Sequence, residues 1–438
     1  MRQHIMAELI NLTAELAEKQ RALLVGIRRP DESEIRASGL LDELAELAKN
    51  LNMEVVGREI VMLREPSAHF LIGSGKFMQI SLAAHNLNAD CIIFDDELTA
   101  AQQRNWETES HLSVINRQEV ILDIFATRAQ TKEARLQVEL AQLEYALPRL
   151  RKAWSHLDRQ RGGGVTQRGG GESQLELDRR FIGERISKLK SELQQVRVMR
   201  EVQRKRRTRV PVPTAAVVGY TNAGKSSLIN AVANVGLLAQ DKLFATLDPT
   251  TRKLLLPNGS SVLLTDTVGF VRKLPHRFVE AFKATLEEAV VSEFLMHVVD
   301  CSNPDADEHM KTTFKVLGEL GADDKKIITV MNKIDAVLDD AVLDDAVVFD
   351  LKQKYPDAVW VSARTGAGLD ALLLKIEDMI SNSSKPMKLL IPHSDYKAVA
   401  ELHKAGAIRS QRETGEGVEI FARIPTRLVS SFSKWRVG

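Results

Sequence analysis

Gly219-Tyr220-Thr221-Asn222-Ala223-Gly224-Lys225-Ser226, with Ser227 directly behind it, fits the pattern G-x-x-x-x-G-K-[ST]. The apolar run Ala215–Val218 leads into it, and Ser227–Val232 carries helical spacing after it. Strand, glycine loop and helix N-terminus in that order make a cradle for phosphate. Glycine lets the backbone wrap an anion, and the aligned N–H groups favour its charge. Lys225 is placed to reach the β- and γ-phosphates, and the Ser226 hydroxyl to hold Mg²⁺. The competing reading is a chance glycine turn before a helix. It gives no reason for the preceding strand or for Lys225-Ser226 at the helix start.

Three further motifs stand downstream, each after an apolar run. Asp266-Thr267-Val268-Gly269 closes the expected strand Ser261–Thr265. An aspartate there can hold Mg²⁺ through water, and the Gly269 N–H can meet a γ-phosphate. Asn332-Lys333-Ile334-Asp335 follows Ile327–Met331. The Asp335 carboxylate can accept from guanine N1–H and N2–H₂, a pattern that adenine lacks. With adenine it would stay desolvated and unpaired, at about 1–3 kcal/mol. Ser362-Ala363-Arg364 follows Ala358–Val361 and offers a backbone N–H to guanine O6. Leu295–Val299 is a further expected strand. Motifs at the carboxyl ends of successive strands predict a doubly wound sheet, over residues 211–384, with GTP and Mg²⁺ at its rim. Lys225 and Gly269 are the expected catalytic pair, both stabilising charge on the phosphoryl group.

Upstream the pattern is also α/β. Ala22–Ile27, Val55–Leu63, Phe70–Ile72, Cys91–Phe94 and Val120–Phe125 read as strands, and Leu40, Leu41, Leu44, Leu47 and Ala48 mark a helix between two of them. An N-terminal α/β domain is expected over residues 1–128, opening with a short amphipathic helix in 1–18. Residues 129–210 differ in kind. Leu136, Leu140, Leu143, Leu147, Leu150, Trp154 and Leu157 step by alternating fours and threes, and Ile182, Ile186, Leu189, Leu193 and Val196 resume the seam. Two seams joined by a breaker predict a long antiparallel helical hairpin, with arms of roughly 40 Å. Pro148 should kink the first arm. The last block, 385–438, reads as a small α+β module of order β-α-β-β-α, with its hairpin turn at Gly415-Glu416-Gly417.

Charge is unevenly spread. The whole chain of 438 residues carries 60 Lys+Arg and 59 Asp+Glu, a net +1. Residues 148–210 alone hold 18 Lys+Arg against 7 Asp+Glu, a net +11, so the remainder carries −10. The glycine-rich stretch between the seams, residues 161–172, cannot form a core and suits close approach to another backbone. A basic arm with such a tip fits folded RNA, with Arg161 and Arg168 as phosphate or stacking contacts. A solvated linker is the plainer alternative.

Taken together, these motifs resemble the translation-factor-like P-loop GTPases. The combination of Gly219–Ser227, Phe244-Ala245-Thr246-Leu247-Asp248 and Asp266–Phe270 resembles the HflX family. The N-terminal α/β region and the double-GGG loop fit the same resemblance, which covers about residues 20–435. It implies a cytoplasmic, Mg²⁺-dependent GTP hydrolase that binds the large ribosomal subunit and its rRNA. It further implies a role in ribosome splitting, rescue or recycling, with hydrolysis driving release. The resemblance gives Thr246 the switch role of ligating Mg²⁺ beside bound GTP. By spacing alone, Thr250 and Thr251 remain competitors. A monomer is expected.

Two departures from a generic GTPase bear on rate. Phe270 stands where many GTPases place a water-orienting glutamine, so slow intrinsic hydrolysis completed by a partner is expected. Asn222 lies where some related GTPases use an asparagine to help coordinate K⁺; its plainer role is an Asx turn. Arg364 replaces the lysine common at that turn, with little loss expected because the contact runs through backbone. Two rival functions stay open: a GTPase of RNA modification or RNA chaperoning, and a signalling switch that binds only protein.

Composition narrows the rest. Two cysteines, Cys91 and Cys301, cannot build a disulfide framework. No apolar run approaches a membrane span, and no secretory signal is expected. No helical His pair points to zinc. Gly73-Ser74-Gly75-Lys76 reads as a turn before a helix rather than a second phosphate loop, and Trp435 as core.

Overall fold

The computed structural model describes residues 19–153, 173–207, 212–233, 244, 248–272, 288–339, 345–382, 384–405 and 407–437. Its contacts sort the chain into two compact units. The first joins Met1–Thr127 with Val138–Leu189, and the second joins Arg128–Gln137 with Lys190–Gly438.

The first unit is built on four parallel strands, β1 (Arg21–Arg28), β2 (Glu54–Met62), β3 (Cys91–Phe94) and β4 (Ser113–Asn116), in the order β2-β1-β3-β4. Strand β1 is buried from Ala22 to Ile27 without alternation, as a parallel strand covered on both faces must be. Helix α1 (Glu34–Asn50) starts at Ser33, whose hydroxyl accepts from the Arg36 N–H, and it buries the leucines that marked it in the sequence. Helix α2 (Ser74–Asn86) is capped at Gly73, so the segment Gly73–Lys76, expected as a turn before a helix, is instead the cap and first turn of the helix itself. Helices α3 (Ala100–Ser110) and α4 (Arg117–Arg128) complete the alternation.

Two expected strands are corrected here. Val120–Phe125 lies inside α4, where Val120, Ile121, Ile124 and Phe125 recur on one helical face. A short apolar run cannot tell a buried strand from a buried helix, and the polar Asp123 within it marks the helical period. The fourth strand is Ser113–Asn116 instead, too short and too polar to stand out. Phe70–Ile72 makes isolated bridges rather than a strand of the sheet. Its Phe70 stacks on Phe77, ring centroids 4.0 Å apart, and both meet Trp106 edge-on.

Two long helices follow, α5 (Lys132–Ala153, with Pro148 inside it) and α6 (Ser173–Arg207). Of the seam positions, Leu136, Leu140, Ile186, Leu189 and Leu193 are buried. In the first unit Arg185 of α6 donates twice to the Glu139 carboxylate of α5, at 2.7 and 2.8 Å, a bidentate pair. Residues 1–18 and the glycine-rich tip, with Arg161 and Arg168, lie outside the described residues.

The second unit holds a six-stranded sheet of order β10-β9-β8-β5-β7-β6. Its members are β5 (Thr214–Gly219), β6 (Thr250–Leu255), β7 (Ser261–Asp266), β8 (Phe294–Asp300), β9 (Lys326–Asn332) and β10 (Val359–Trp360). All pair in parallel except β6, which runs antiparallel to β7 at the edge and was not legible in the sequence. Helices α7 (Lys225–Ala233) and α11 (Leu369–Asn382) contribute Leu228, Ile229, Leu372 and Ile376 to the core on Val217, Met296, Val298 and Val330. Helix α8 (Ala306–Glu319) packs Ala306 and Met310 with Val299, Cys301 and Met331. Helices α9 (Ile334–Asp339) and α10 (Asp345–Lys354) lie between β9 and β10. The chain then forms an antiparallel sheet, β11 (Ser384–Ile391), β12 (Ile408–Thr414) and β13 (Gly417–Pro425), in the order β11-β13-β12. Helices α12 (Tyr396–Ala405) and α13 (Val429–Phe432) accompany it. Trp435 packs partly buried against this core, and its indole N–H donates to Asp395 at 3.2 Å.

Candidate functional site

All four sequence motifs emerge from the carboxyl ends of β5, β7, β9 and β10. Helix α7 begins at Lys225, two residues earlier than its apolar spacing implied, so the lysine opens the helix that the loop feeds. Lys225 is buried. Its ammonium donates to the Gly219 and Tyr220 carbonyls at 3.2 and 2.7 Å. Burial pushes its pKa down to about 8, against the pull of the Asp266 carboxylate. The loop thus holds a cation on neutral oxygens, with the charge available to an incoming polyphosphate.

The loop closes over its neighbours. The Thr221 N–H donates to the Phe270 carbonyl at 2.8 Å, and the Phe270 N–H to the Gly219 carbonyl at 3.0 Å. Asn222 is exposed with φ near +59°, a left-handed conformation that asparagine tolerates. Gly224 has φ near +86°, and a Cβ there would sit 2.2 Å from the Asn332 amide nitrogen. A Cβ on Gly269 would meet Thr221 Cα at 2.8 Å and Lys225 Nζ at 2.9 Å. Both glycines are therefore dictated by close approach, and the space they leave is where a phosphate cradle must be open. The Ser226 hydroxyl donates to Asp266 Oδ2 at 2.5 Å, so the two side chains expected around Mg²⁺ stand together. Thr267 donates to the Val217 carbonyl at 2.7 Å and belongs to the core, as does Val268. Among the described residues no group of three or more His, Cys, Asp or Glu forms a metal cage. A Ser–Asp pair beside phosphates suits Mg²⁺, which takes few protein ligands and keeps waters.

Asn332 is the brace of the site. Its amide donates to the Ala223 carbonyl at 2.9 Å, and its oxygen accepts from the Ala363 N–H at 3.0 Å. One buried side chain thereby ties the phosphate loop to the Ser362-Ala363-Arg364 turn. Lys333 pairs with Asp300 at 2.7 Å. Ile334 opens α9, and Asp335 follows it. Burial pushes the Asp335 carboxyl up, but the Ser362 hydroxyl, its own backbone N–H and the Arg364 guanidinium hold it below its ordinary value. It therefore stays an acceptor at neutral pH, as a guanine edge requires.

Several residues are placed differently from expectation. Arg364 acts through its side chain as well as its backbone: Nη2 lies 2.6 Å from Asp335 Oδ2. The Tyr220 side chain turns away from the loop. Its ring stacks on His309 of α8 at 3.7 Å, and its hydroxyl accepts from the Arg272 N–H at 2.8 Å. Only its backbone remains at the cradle. Phe270 is fully buried, and its side chain cannot orient water. Phe244 is buried, while Ala245, Thr246 and Leu247 lie outside the described residues. Of the competitors for the switch role, Thr250 pairs in register with Asp266, and the Thr251 hydroxyl is bonded to that of Thr265 at 3.0 Å. The Asp248 carboxylate accepts from Gln130 and Thr131, a partner that no sequence pattern announced. Also unforeseen are buried Cys301, whose thiol donates to the Asn332 carbonyl and is pushed up to about 12 by burial, and buried His297, pushed down to about 3 by burial and by Lys225.

Comparison with known proteins agrees with this geometry. Residues 39–126 match the family model of the GTP-binding GTPase N-terminal region, 128–207 that of its middle region, and 214–333 that of a 50S ribosome-binding GTPase. The GTPase HflX of Lacrimispora saccharolytica is 45% identical over 98% of this chain and 98% of its own. That of Escherichia coli is 37% identical over 88% of this chain and 89% of its own. Among solved structures, a GTP-binding protein of Sulfolobus solfataricus in complex with GDP is 26% identical, covering 82% of this chain and 98% of that one, with a TM-score of 0.43. On the strength of its near-complete match to the HflX proteins and of its assembled phosphate and guanine motifs, the chain belongs to the HflX family of GTPases and is a GTP hydrolase.

Proposed function

We propose that this GTPase binds the large ribosomal subunit in a nucleotide-dependent way, acts in ribosome splitting or rescue, and uses GTP hydrolysis for release. The observation that carries the reading is the match of residues 214–333 to a 50S ribosome-binding GTPase, together with a cradle in which Asn332 links phosphate loop and base turn. In the four-part division, the α/β region 1–128 and the basic hairpin 129–210 engage rRNA, the GTPase domain 211–384 switches, and the module 385–438 supports it. The excess of 18 basic over 7 acidic residues in 148–210 favours an RNA partner over a purely protein one. Arg161 and Arg168 at the tip would contact phosphates.

For the chemistry, Lys225 and the Gly269 N–H stabilise charge on the γ-phosphoryl group. Mg²⁺ would be held by the Ser226 hydroxyl and Thr246, with Asp266 acting through water, and would supply charge for the leaving phosphate. Phe270 leaves the attacking water without a glutamine, so turnover alone is slow and the ribosome completes the site. Asn222 stands exposed at the loop, where it would help bind K⁺. The chain acts as a monomer in the cytoplasm. Among the described residues no helix is long and apolar enough to cross a membrane.

Light scattering of 70S particles mixed with this chain and a non-hydrolysable GTP analogue tests the reading. Scattering should fall with the analogue and not with GDP. Unchanged scattering, with no co-sedimentation with large subunits, refutes it.

A further inference from the structure

We propose that Asp248 is a positioning residue: it ties the loop that carries Thr246 to the N-terminus of helix α5, so that the nucleotide and the first turn of α5 are energetically coupled. This rests on the switch role that the resemblance gives to Thr246.

The contact is specific. Asp248 Oδ2 accepts from the Gln130 N–H at 3.2 Å and the Thr131 N–H at 3.0 Å, and Oδ1 accepts from the Thr131 hydroxyl. That hydroxyl in turn accepts from the Ala134 N–H at 3.1 Å, while the Thr131 carbonyl receives the Arg135 N–H at 3.1 Å. Thr131 is therefore already a local cap for α5. The first backbone N–H groups of a helix lack intrahelical partners and carry its positive end. A carboxylate there gains charge-assisted hydrogen bonds as well as the dipole. Yet the helix does not need one from 117 residues away to begin, because Thr131 serves. The added acceptor comes from the segment to which the resemblance assigns a switch role.

The other end of that loop is anchored beside the metal-side pair. Strand β6 starts at Thr250, opposite Asp266, and Asp266 accepts the Ser226 hydroxyl. Two residues span at most about 7 Å, so Thr250 lies within that reach of the Asp248 backbone. A change at the Ser226–Asp266 pair on nucleotide binding is therefore transmitted through Thr250 to the Asp248 contact. Gln130, Thr131 and Asp248 all belong to the second unit, so the coupling is read within it.

Amide hydrogen exchange on the full chain, with GDP and with a non-hydrolysable GTP analogue, tests this without ribosomes. Protection at Gln130 and Thr131 should differ about tenfold or more between the two nucleotides. In Asp248→Ala that difference should vanish, and the ratio of GTP-analogue to GDP affinity should move by about fivefold or more. Asp248→Asn, which keeps one acceptor oxygen, should fall between. Adding Thr131→Val to Asp248→Ala should not move the ratio further. A cap with no role in switching would lose protection equally with both nucleotides and leave the affinity ratio unchanged; that result overturns the proposal. So does equal protection with both nucleotides in the unaltered chain. Nucleotide-independent co-sedimentation with large subunits would count against the ribosome reading alone and leave this coupling intact.

Discussion

Two sheets in this chain, one parallel and the other parallel but for its edge strand, each bury a cation near the carboxyl ends of their strands, and they treat it in opposite ways. In the first unit Arg117, fully buried, meets Asp95 at 2.6 Å and Glu43 at 2.6 Å. In the second, Lys225 is also buried but rests on two backbone carbonyls, and among the described residues no carboxylate is in ion-pair contact with it. A buried charge that is paired and hydrogen-bonded is structural. A buried charge held only by neutral oxygens is costly unless a ligand supplies the anion, and burial lowers its pKa accordingly. The second sheet thus keeps a cation for an anionic ligand, and the first holds a closed ion cluster.

That contrast can be broken by substitution. The largest effect is expected at Arg117→Leu, which strands Asp95 and Glu43. Chemical denaturation should show a loss of about 3–5 kcal/mol in the first unit, with GTP affinity unchanged. If stability holds, the cluster is not what secures that sheet. Next comes Lys225→Ala, for which kcat should fall about 10²–10³-fold while the fold is kept.

The same lysine makes a pH prediction. Its folded pKa, about 8, lies below the ordinary 10.5, so between those values the unfolded chain holds a proton that the folded chain has released. Stability therefore rises with pH across that window, and below about pH 8 the full burial cost is present. Bound triphosphate reverses the preference, so GTP binding above pH 8 should take up a proton. Calorimetry in buffers of different ionisation heat measures this directly, and Lys225→Met should abolish it.

Smaller still is Asp335→Asn. Nucleotide titration should show the preference for GTP over XTP reduced or inverted by about 1–3 kcal/mol. The least effect is expected at Arg364→Ala. Its side chain is 70% exposed, so the pair with Asp335 is worth at most about 1 kcal/mol, read as a severalfold rise in KM for GTP. A large loss there would mean that the guanidinium touches the base itself.

Legibility differed between the two regions for a physical reason. The phosphate loop and Asp266, Asn332 and Asp335 were readable because each is a short motif after an apolar strand, and the chemistry dictates the residue types. In the first unit, the short apolar run Val120–Phe125 fits both periods and so does not tell strand from helix, and the four-residue strand Ser113–Asn116 carries no pattern. The edge strand Thr250–Leu255 was missed for a related reason: only its pairing with Ser261–Asp266 makes it a strand. Arg364 was read as a backbone contact because nothing local links it to Asp335.

The guanine nucleotide and the motifs that follow four of the strands are legible in the sequence alone. These rest on local rules of spacing, backbone freedom and hydrogen-bond complementarity. Tertiary structure alone decided which charges are neutralised and which wait. Arg117 finds Asp95 and Glu43, Asn332 finds Ala223 and Ala363, and Asp248 finds the start of a helix more than a hundred residues away. Partners so distant along the chain meet only when the sheets are assembled, and no period or motif records them beforehand.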